Sequence, residues 1–251
     1  MRPAVRLVFP LWKGLAVGCG SSTSAERSPV IAAAANLDPV LAALAPGFAA
    51  DVGVRPTFSV GATGTLARQL ENGAPFDVFV AADTATVRAL AREGHVLAAS
   101  VRVYARGRLA VWRPPGSGPL PDALGGLAGP RYRRIAVANP ELAPYGAAAV
   151  QSLRAAGIWE QVAPRVVYGE NVAAARQFVA TGNADVALLP LSLVPPGDPR
   201  LLVPDSLHAP LDQALGIARR AEHPDEARAF VAYLTGPQGR ALLRSFGYET
   251  P

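Results

Sequence analysis

The stretch SVGATGTLARQLENGAPFDVFVAAD, Ser59 to Asp83, contains a strand end, a loop, a helix and a second strand in one short run. Arg55–Val60 is a short run rich in β-formers, and TLARQLENGAP carries a helical pattern that stops at Gly73. Phe76–Ala81 returns to strand character. Between the first strand and the helix lie only Gly61, Ala62, Thr63 and Gly64, a junction without charge.

The same alternation runs outward in both directions. Further strands are expected at Val30–Ala34, Arg108–Trp112, Arg134–Ala138, Arg165–Tyr168, Asp185–Leu189 and Gln213–Ala218. Helical patterns separate them, with Pro39 at a first helical position and stops at Gly157 and Gly182. Two closing helices are broken by Thr235-Gly236-Pro237. Short strands alternating with helices define an α/β class. Half of the 251 residues are apolar, enough for two compact lobes of about 100 residues each or one large α/β domain. The Pro/Gly-rich segment from Arg113 to Arg134 reads as a surface connection.

The formal net charge is +5, but Arg2, Arg6 and Lys13 contribute three of those charges within residues 1–20, which hold no acid, leaving +2. That excludes a global field for nucleic acid. The same segment has a basic start and an interrupted apolar stretch too short to span a membrane, so it reads as an export leader. Cys19, the only cysteine, excludes an internal disulfide and is the candidate lipidation site; LAVGC matches the lipoprotein box loosely, with Ala16 where the pattern has Leu. A leader cleaved without acylation is the alternative.

Four strand-to-helix junctions share one chemistry, around Asn36, Thr63, Tyr145 and Asn171-Val172. The first turn of a helix leaves backbone N–H groups without intrahelical partners and carries partial positive charge, so an anion fits there. Gly61 and Gly64 are expected to admit a ligand close to the backbone, and Gly146 to permit a tight entry turn. No Arg or Lys lies at the four tips, which favours a small dehydrated oxyanion held by neutral dipoles. Asp38 and Glu170 flank two of the junctions and are expected to face solvent. Each junction also has an ordinary reading, as an N-cap or a packing residue.

At this point the chain resembles the molybdate-binding proteins of ABC transporters, with the type II periplasmic binding-protein fold. The resemblance rests on Ser59–Asp83, on NPELAPYGAAAVQSLRAAGIW, on ENVAAARQFVATGNAD and on FVAYLTGPQGRALLRSFGY, and it spans Val30 to Tyr248. It implies two α/β lobes closing on a tetrahedral oxyanion without a counter-charge, with Asn36, Ala35, Thr63, Ala62, Tyr145, Val172 and Asn171 as the ligand-binding set. Ala35 departs from the pattern where some members have Thr, and Pro190 stands in a segment where another branch has a tyrosine. The resemblance further implies molybdate or tungstate as ligand, a membrane ABC permease as partner, no cofactor and no direct cation site. The expected protein is a monomer, periplasmic or on the outer face of the cytoplasmic membrane. Its organisation is expected as leader 1–20, linker 21–28, first lobe 29–104, second lobe 105–207 and first-lobe completion 208–251, with crossings near Val103–Leu109 and Ser206–Gln213.

Three other readings stay open from residues alone: an enzyme, a binder of another small anion, and a sensor or adhesion module. The enzyme has little support. Lys13 is the only lysine, GATGTL lacks a full GxGxxG, no G-x-S-x-G occurs, and His95, His208 and His223 are scattered.

Overall fold

The computed structural model describes residues 28–251; the expected leader, Cys19 and the linker up to residue 27 lie outside them. Along the chain run β1 (Val30–Ala34), α1 (Asp38–Val52), β2 (Thr57–Gly61), α2 (Thr63–Glu71), β3 (Val78–Val80), α3 (Thr84–Arg92) and β4 (Arg102–Gly107). Then come β5 (Leu109–Trp112), β6 (Ile135–Ala138), α4 (Pro144–Ala155), α5 (Trp159–Val162), β7 (Val166–Gly169), α6 (Val172–Ala180), β8 (Val186–Pro190) and β9 (Arg200–Leu202). β10 (Leu211–Ile217), α7 (Pro224–Thr235) and α8 (Pro237–Ser245) complete it.

The strands form two five-stranded sheets, ordered β2-β1-β3-β10-β4 and β7-β6-β8-β5-β9. Each sheet is the floor of one lobe, so the fold is the two-lobed α/β arrangement with a cleft between. β2, β1 and β3 are parallel, as are β7, β6 and β8, while β10 and β5 enter antiparallel. The chain leaves the first sheet after Gly107 and enters the second at Leu109; it returns between Leu202 and Leu211. The lobe boundary expected between residues 104 and 105 therefore falls inside β4, because pairing with β10 carries that strand to Gly107.

β4 and β9 were not among the expected strands. β4 reads RVYARG, with arginines at both polar positions and Val103 left 42% exposed, because it lies at the edge of its sheet. β9 is three residues long, too short for alternation to register.

In the first lobe Phe48, Phe230 and Tyr233 meet edge to face at 5.6 Å, joining α1 to α7. Fully burying such side chains stabilises by about 1.5–3 kcal/mol each, which fastens the C-terminal helices onto the N-terminal half. In the second lobe Leu109, Ile135, Val137, Leu153 and Val186 form a separate buried core. That core continues into the cleft, where Ala34, Ala35 and Ala82 of the first lobe join it.

Candidate functional site

The parallel strands β1, β2, β6 and β7 each end at a helix mouth. In open α/β sheets ligands sit outside the carboxyl ends of strands, and the two sheets present those ends toward each other. Several hydrogen bonds hold the lobes together there, Tyr248 with Ser192 at 3.0 Å among them. Gly64 N–H donates to the main-chain oxygen of Leu142 at 2.9 Å, Ser192 Oγ to that of Asn36 at 2.8 Å, and Gln213 Nε2 to the Tyr145 hydroxyl at 2.8 Å. A Cβ on Gly64 would sit 3.3 Å from Leu142, so this position lets the lobes approach each other rather than a ligand.

The mouths differ in how they are capped. Ala34, Ala62 and Ala143 precede the helical turns at Ala35–Leu37, Thr63–Glu71 and Pro144–Ala155, and none of them supplies a side-chain cap. All three are buried. First-turn N–H groups at such ends need an acceptor from elsewhere. The fourth mouth is conventional: Asn171 Oδ1 accepts from Ala174 N–H at 3.0 Å, leaving Val172, buried at the first helical position, to offer its backbone.

Of the seven expected site residues, Ala35, Tyr145 and Val172 share one buried cluster. Asn36 and Thr63 are tied to that cluster, Asn36 through Gln213 to Tyr145 and Thr63 through Ala82. Ala62 is buried immediately before Thr63. The Asn171 side chain is turned back on its own helix and the Asn36 side chain is spent internally, donating to Gln213 Oε1 at 2.9 Å and to the Tyr248 hydroxyl at 2.7 Å. Asp38, in the first turn of α1, and Glu170, just before the Asn171 cap, are both exposed, as expected. Gly146 is close-packed on the Ala138 carbonyl rather than forming a special turn.

The two site hydroxyls are arranged alike. Thr63 Oγ1 accepts from Ala82 N–H at 3.1 Å, and the Tyr145 hydroxyl accepts from Gln213 Nε2. A hydroxyl that already accepts keeps its own hydrogen to give, so both are set as donors. Burial pushes the Tyr145 phenol well above its ordinary range, with Tyr248 raising it further and the Gln213 hydrogen bond opposing. Tyr104 is raised in the same way, first by burial and then by Tyr248, Tyr145 and Asp83. These phenols stay neutral donors at any physiological pH.

Beside the uncapped mouths opens a cavity of about 300 Å³, lined by Thr63, Gly64, Ala82 and Asp83 from one lobe and Pro140 to Pro144 from the other; of the seven expected site residues only Thr63 lines it. No Arg, Lys or His lines it. Among the described residues the ion pairs are Arg106–Asp212, Arg228–Asp225 and His223–Asp77, none involving a site residue, and no cluster of three metal-ligating side chains occurs. The site offers hydrogens and dipoles but no cation. That suits a small anion; of the two carboxylates that line the cavity, Asp83 is spent accepting from Thr86 N–H and Oγ1 and Glu141 is exposed.

Gln213, Tyr104, Tyr248, Ser192 and Gly107 were not anticipated. One signal was readable: Gln213 is the lone uncharged polar residue in the strand LDQALGI and is fully buried.

Comparison with known proteins finds relatives over nearly the whole chain. A model of the family described as bacterial extracellular solute-binding protein matches residues 29–249. The chain is 36% identical to the molybdate-binding protein ModA of Azotobacter vinelandii, covering 97% of this chain and 96% of that protein. It is 31% identical to ModA of Rhodobacter capsulatus, over 94% of each. The solved Azotobacter vinelandii periplasmic molybdate-binding protein superimposes with a TM-score of 0.83 at 31% identity, covering 89% of this chain and all of that one. The sulfate-binding protein SubI of Mycobacterium tuberculosis, at 16% identity and a TM-score of 0.75 over 90% and 87% of the two chains, shares the fold.

Proposed function

The chain belongs to the bacterial extracellular solute-binding protein family, and from that premise we propose that it captures molybdate as the dianion between its lobes and delivers it to an ABC permease. The observation that carries this reading is the pair of buried hydroxyls, Thr63 and Tyr145, each accepting from the protein and so keeping its own hydrogen to donate. The ModA relatives support molybdate as the solute.

The donors of the site are then the Thr63 and Tyr145 hydroxyls and the first-turn N–H groups at Ala35-Asn36, Ala62-Thr63, Tyr145 and Val172. Each hydrogen bond to a charged acceptor contributes about 1.5–3 kcal/mol, so several together offset much of the anion's desolvation. Tungstate, with the same charge and tetrahedral shape, fits the same donors. No cofactor or chemical step is required. Ala35 offers no hydroxyl, so this chain has one side-chain donor fewer than relatives with Thr there.

Capture proceeds by closure, since donors from both lobes must reach one small ion. The closed form is the one the permease would recognise. In this reading the protein acts as a monomer outside the cytoplasmic membrane, exported by residues 1–20 and anchored through Cys19 if that residue is acylated. Among the described residues no helix is long and apolar enough to cross a membrane.

Isothermal titration in phosphate-free buffer with molybdate, tungstate, sulfate and phosphate tests the proposal. The expected result is tight one-to-one binding of the first two with little heat from the others. Preferential binding of sulfate or phosphate would reassign the solute, and no binding of any would reduce the helix mouths to structural features.

A further inference from the structure

We propose that Gln213 is the positioning residue of the anion site, fixing the direction of the Tyr145 hydroxyl so that its hydrogen points at the ligand. The inference rests on the functional reading above and concerns how that site is made competent.

The direction can be traced from a group that cannot be reversed. The Tyr248 hydroxyl gives its one hydrogen either to the main-chain oxygen of Asn36 at 2.9 Å or to Ser192 Oγ at 3.0 Å, which itself donates to that same oxygen. Either way the Tyr248 oxygen accepts, and the group facing it at 2.7 Å is Asn36 Nδ2. That orients the Asn36 amide, whose second hydrogen goes to Gln213 Oε1 at 2.9 Å. The Tyr104 hydroxyl faces the same Oε1 at 2.7 Å and the Ala81 main-chain oxygen at 3.1 Å, and the shorter contact directs its single hydrogen to Gln213. The Gln213 amide is thereby oriented with Nε2 toward Tyr145, whose oxygen accepts and whose own hydrogen is left to give. Every member is buried.

Two further features make the arrangement specific. The β10–β4 register shifts between Gln213 and Ala214, an irregularity of the kind that re-aims a side chain. Gly107, on the paired strand, has no side chain where a Cβ would overlap the Tyr145 hydroxyl and come within 2.5 Å of Gln213 Nε2. Gln213 belongs to the first lobe and Tyr145 to the second, so the donor is set only when the lobes meet.

The test is Gln213→Glu, titrated with molybdate beside the wild type between about pH 6 and 8.5. The titratable groups packed around position 213 are Tyr104, Tyr145 and Tyr248, with Asp83 acting on Tyr104; burial raises all three phenols, so none titrates in this window. Asp212, next along the strand, is paired with Arg106 at the surface. When ionised, the introduced carboxylate would take the Tyr145 hydrogen for itself and add negative charge. When protonated it mimics the amide, its carbonyl accepting and its O–H donating to Tyr145.

The wild type should bind with a flat profile. The variant should bind about 100-fold or more weakly at the alkaline end and recover at least about tenfold toward pH 6. Thermal melts at each pH separate lost binding from lost fold. A flat profile in the folded variant, or affinity within about threefold of wild type at pH 8.5, would overturn the proposal. If the variant does not fold at high pH, Gln213→Met decides: it removes the donor without charge and should weaken binding about tenfold or more at every pH, wild-type affinity overturning the idea. A wild-type chain that fails to bind molybdate would overturn the functional reading itself, a distinguishable outcome.

Discussion

At Tyr145, exchanging the hydroxyl for hydrogen removes one donor to the anion and leaves Gln213 Nε2 without its acceptor. Tyr145→Phe should weaken molybdate binding by about 1–3 kcal/mol, read by calorimetry, with the fold intact by circular dichroism. Thr63→Val, nearly isosteric, strands the Ala82 N–H in the same way and should cost a similar amount, about 1–3 kcal/mol. His95→Ala is the matched control, since His95 lines a different cavity with Glu71, Glu93 and Arg219, and its affinity should equal wild type. Unchanged affinity in the first two would remove those hydroxyls from the site. At this scale the sequence was informative about residue type: a threonine and a tyrosine among small residues at helix mouths signal donors. It was silent about direction. Whether Asn36 faces the ligand or the protein depends on Gln213 and Tyr248, 177 and 212 residues away, and no local pattern encodes such a pairing.

The strand-to-helix junctions were legible as elements because absence of charge and small size are properties of composition. Their caps were not: Ala34, Ala62 and Ala143 leave helix ends open whereas Asn171 closes one, a difference that appears only when side chains take up positions. β4 was the costly omission, because it carries Gly107 to the point where the lobes meet. Gly107→Ala should press its Cβ against the Tyr145 hydroxyl and Gln213, so the two cannot remain bonded. The expected outcome is a chain that folds, melts at lower temperature and binds molybdate at least about tenfold more weakly. Wild-type affinity in this variant would show that Tyr145 reaches the anion without the Gln213 contact. Replacing the neighbouring exposed Val103 on the same strand offers a comparison that leaves the contact untouched.

Over the whole molecule, the neutrality of the buried phenols sets the pH range. Tyr104, Tyr145 and Tyr248 all have folded-state values raised above the ordinary 10.0. The folded chain keeps these protons where the unfolded chain releases them, so their contribution is fully present below about pH 10 and is lost as pH rises through the folded values. Denaturant melts between about pH 8 and 11 should show stability level at first and then falling, by up to about 1.4 kcal/mol per unit for each phenol. A flat profile through pH 11 would contradict the burial of the network. The alternation of strands and helices made the two-lobed architecture readable, but the meeting of the lobes, through Gly64 with Leu142 and Asn36 with Ser192, joins segments 78 and 156 residues apart and follows from packing. The most direct measurement is the anomalous diffraction of crystals grown with molybdate. The account predicts a single strong molybdenum peak enclosed by the Thr63 and Tyr145 hydroxyls and the first turns of the helices beginning at Ala35, Thr63, Pro144 and Val172. A peak lying instead among surface arginines, with those hydroxyls turned elsewhere, would contradict it.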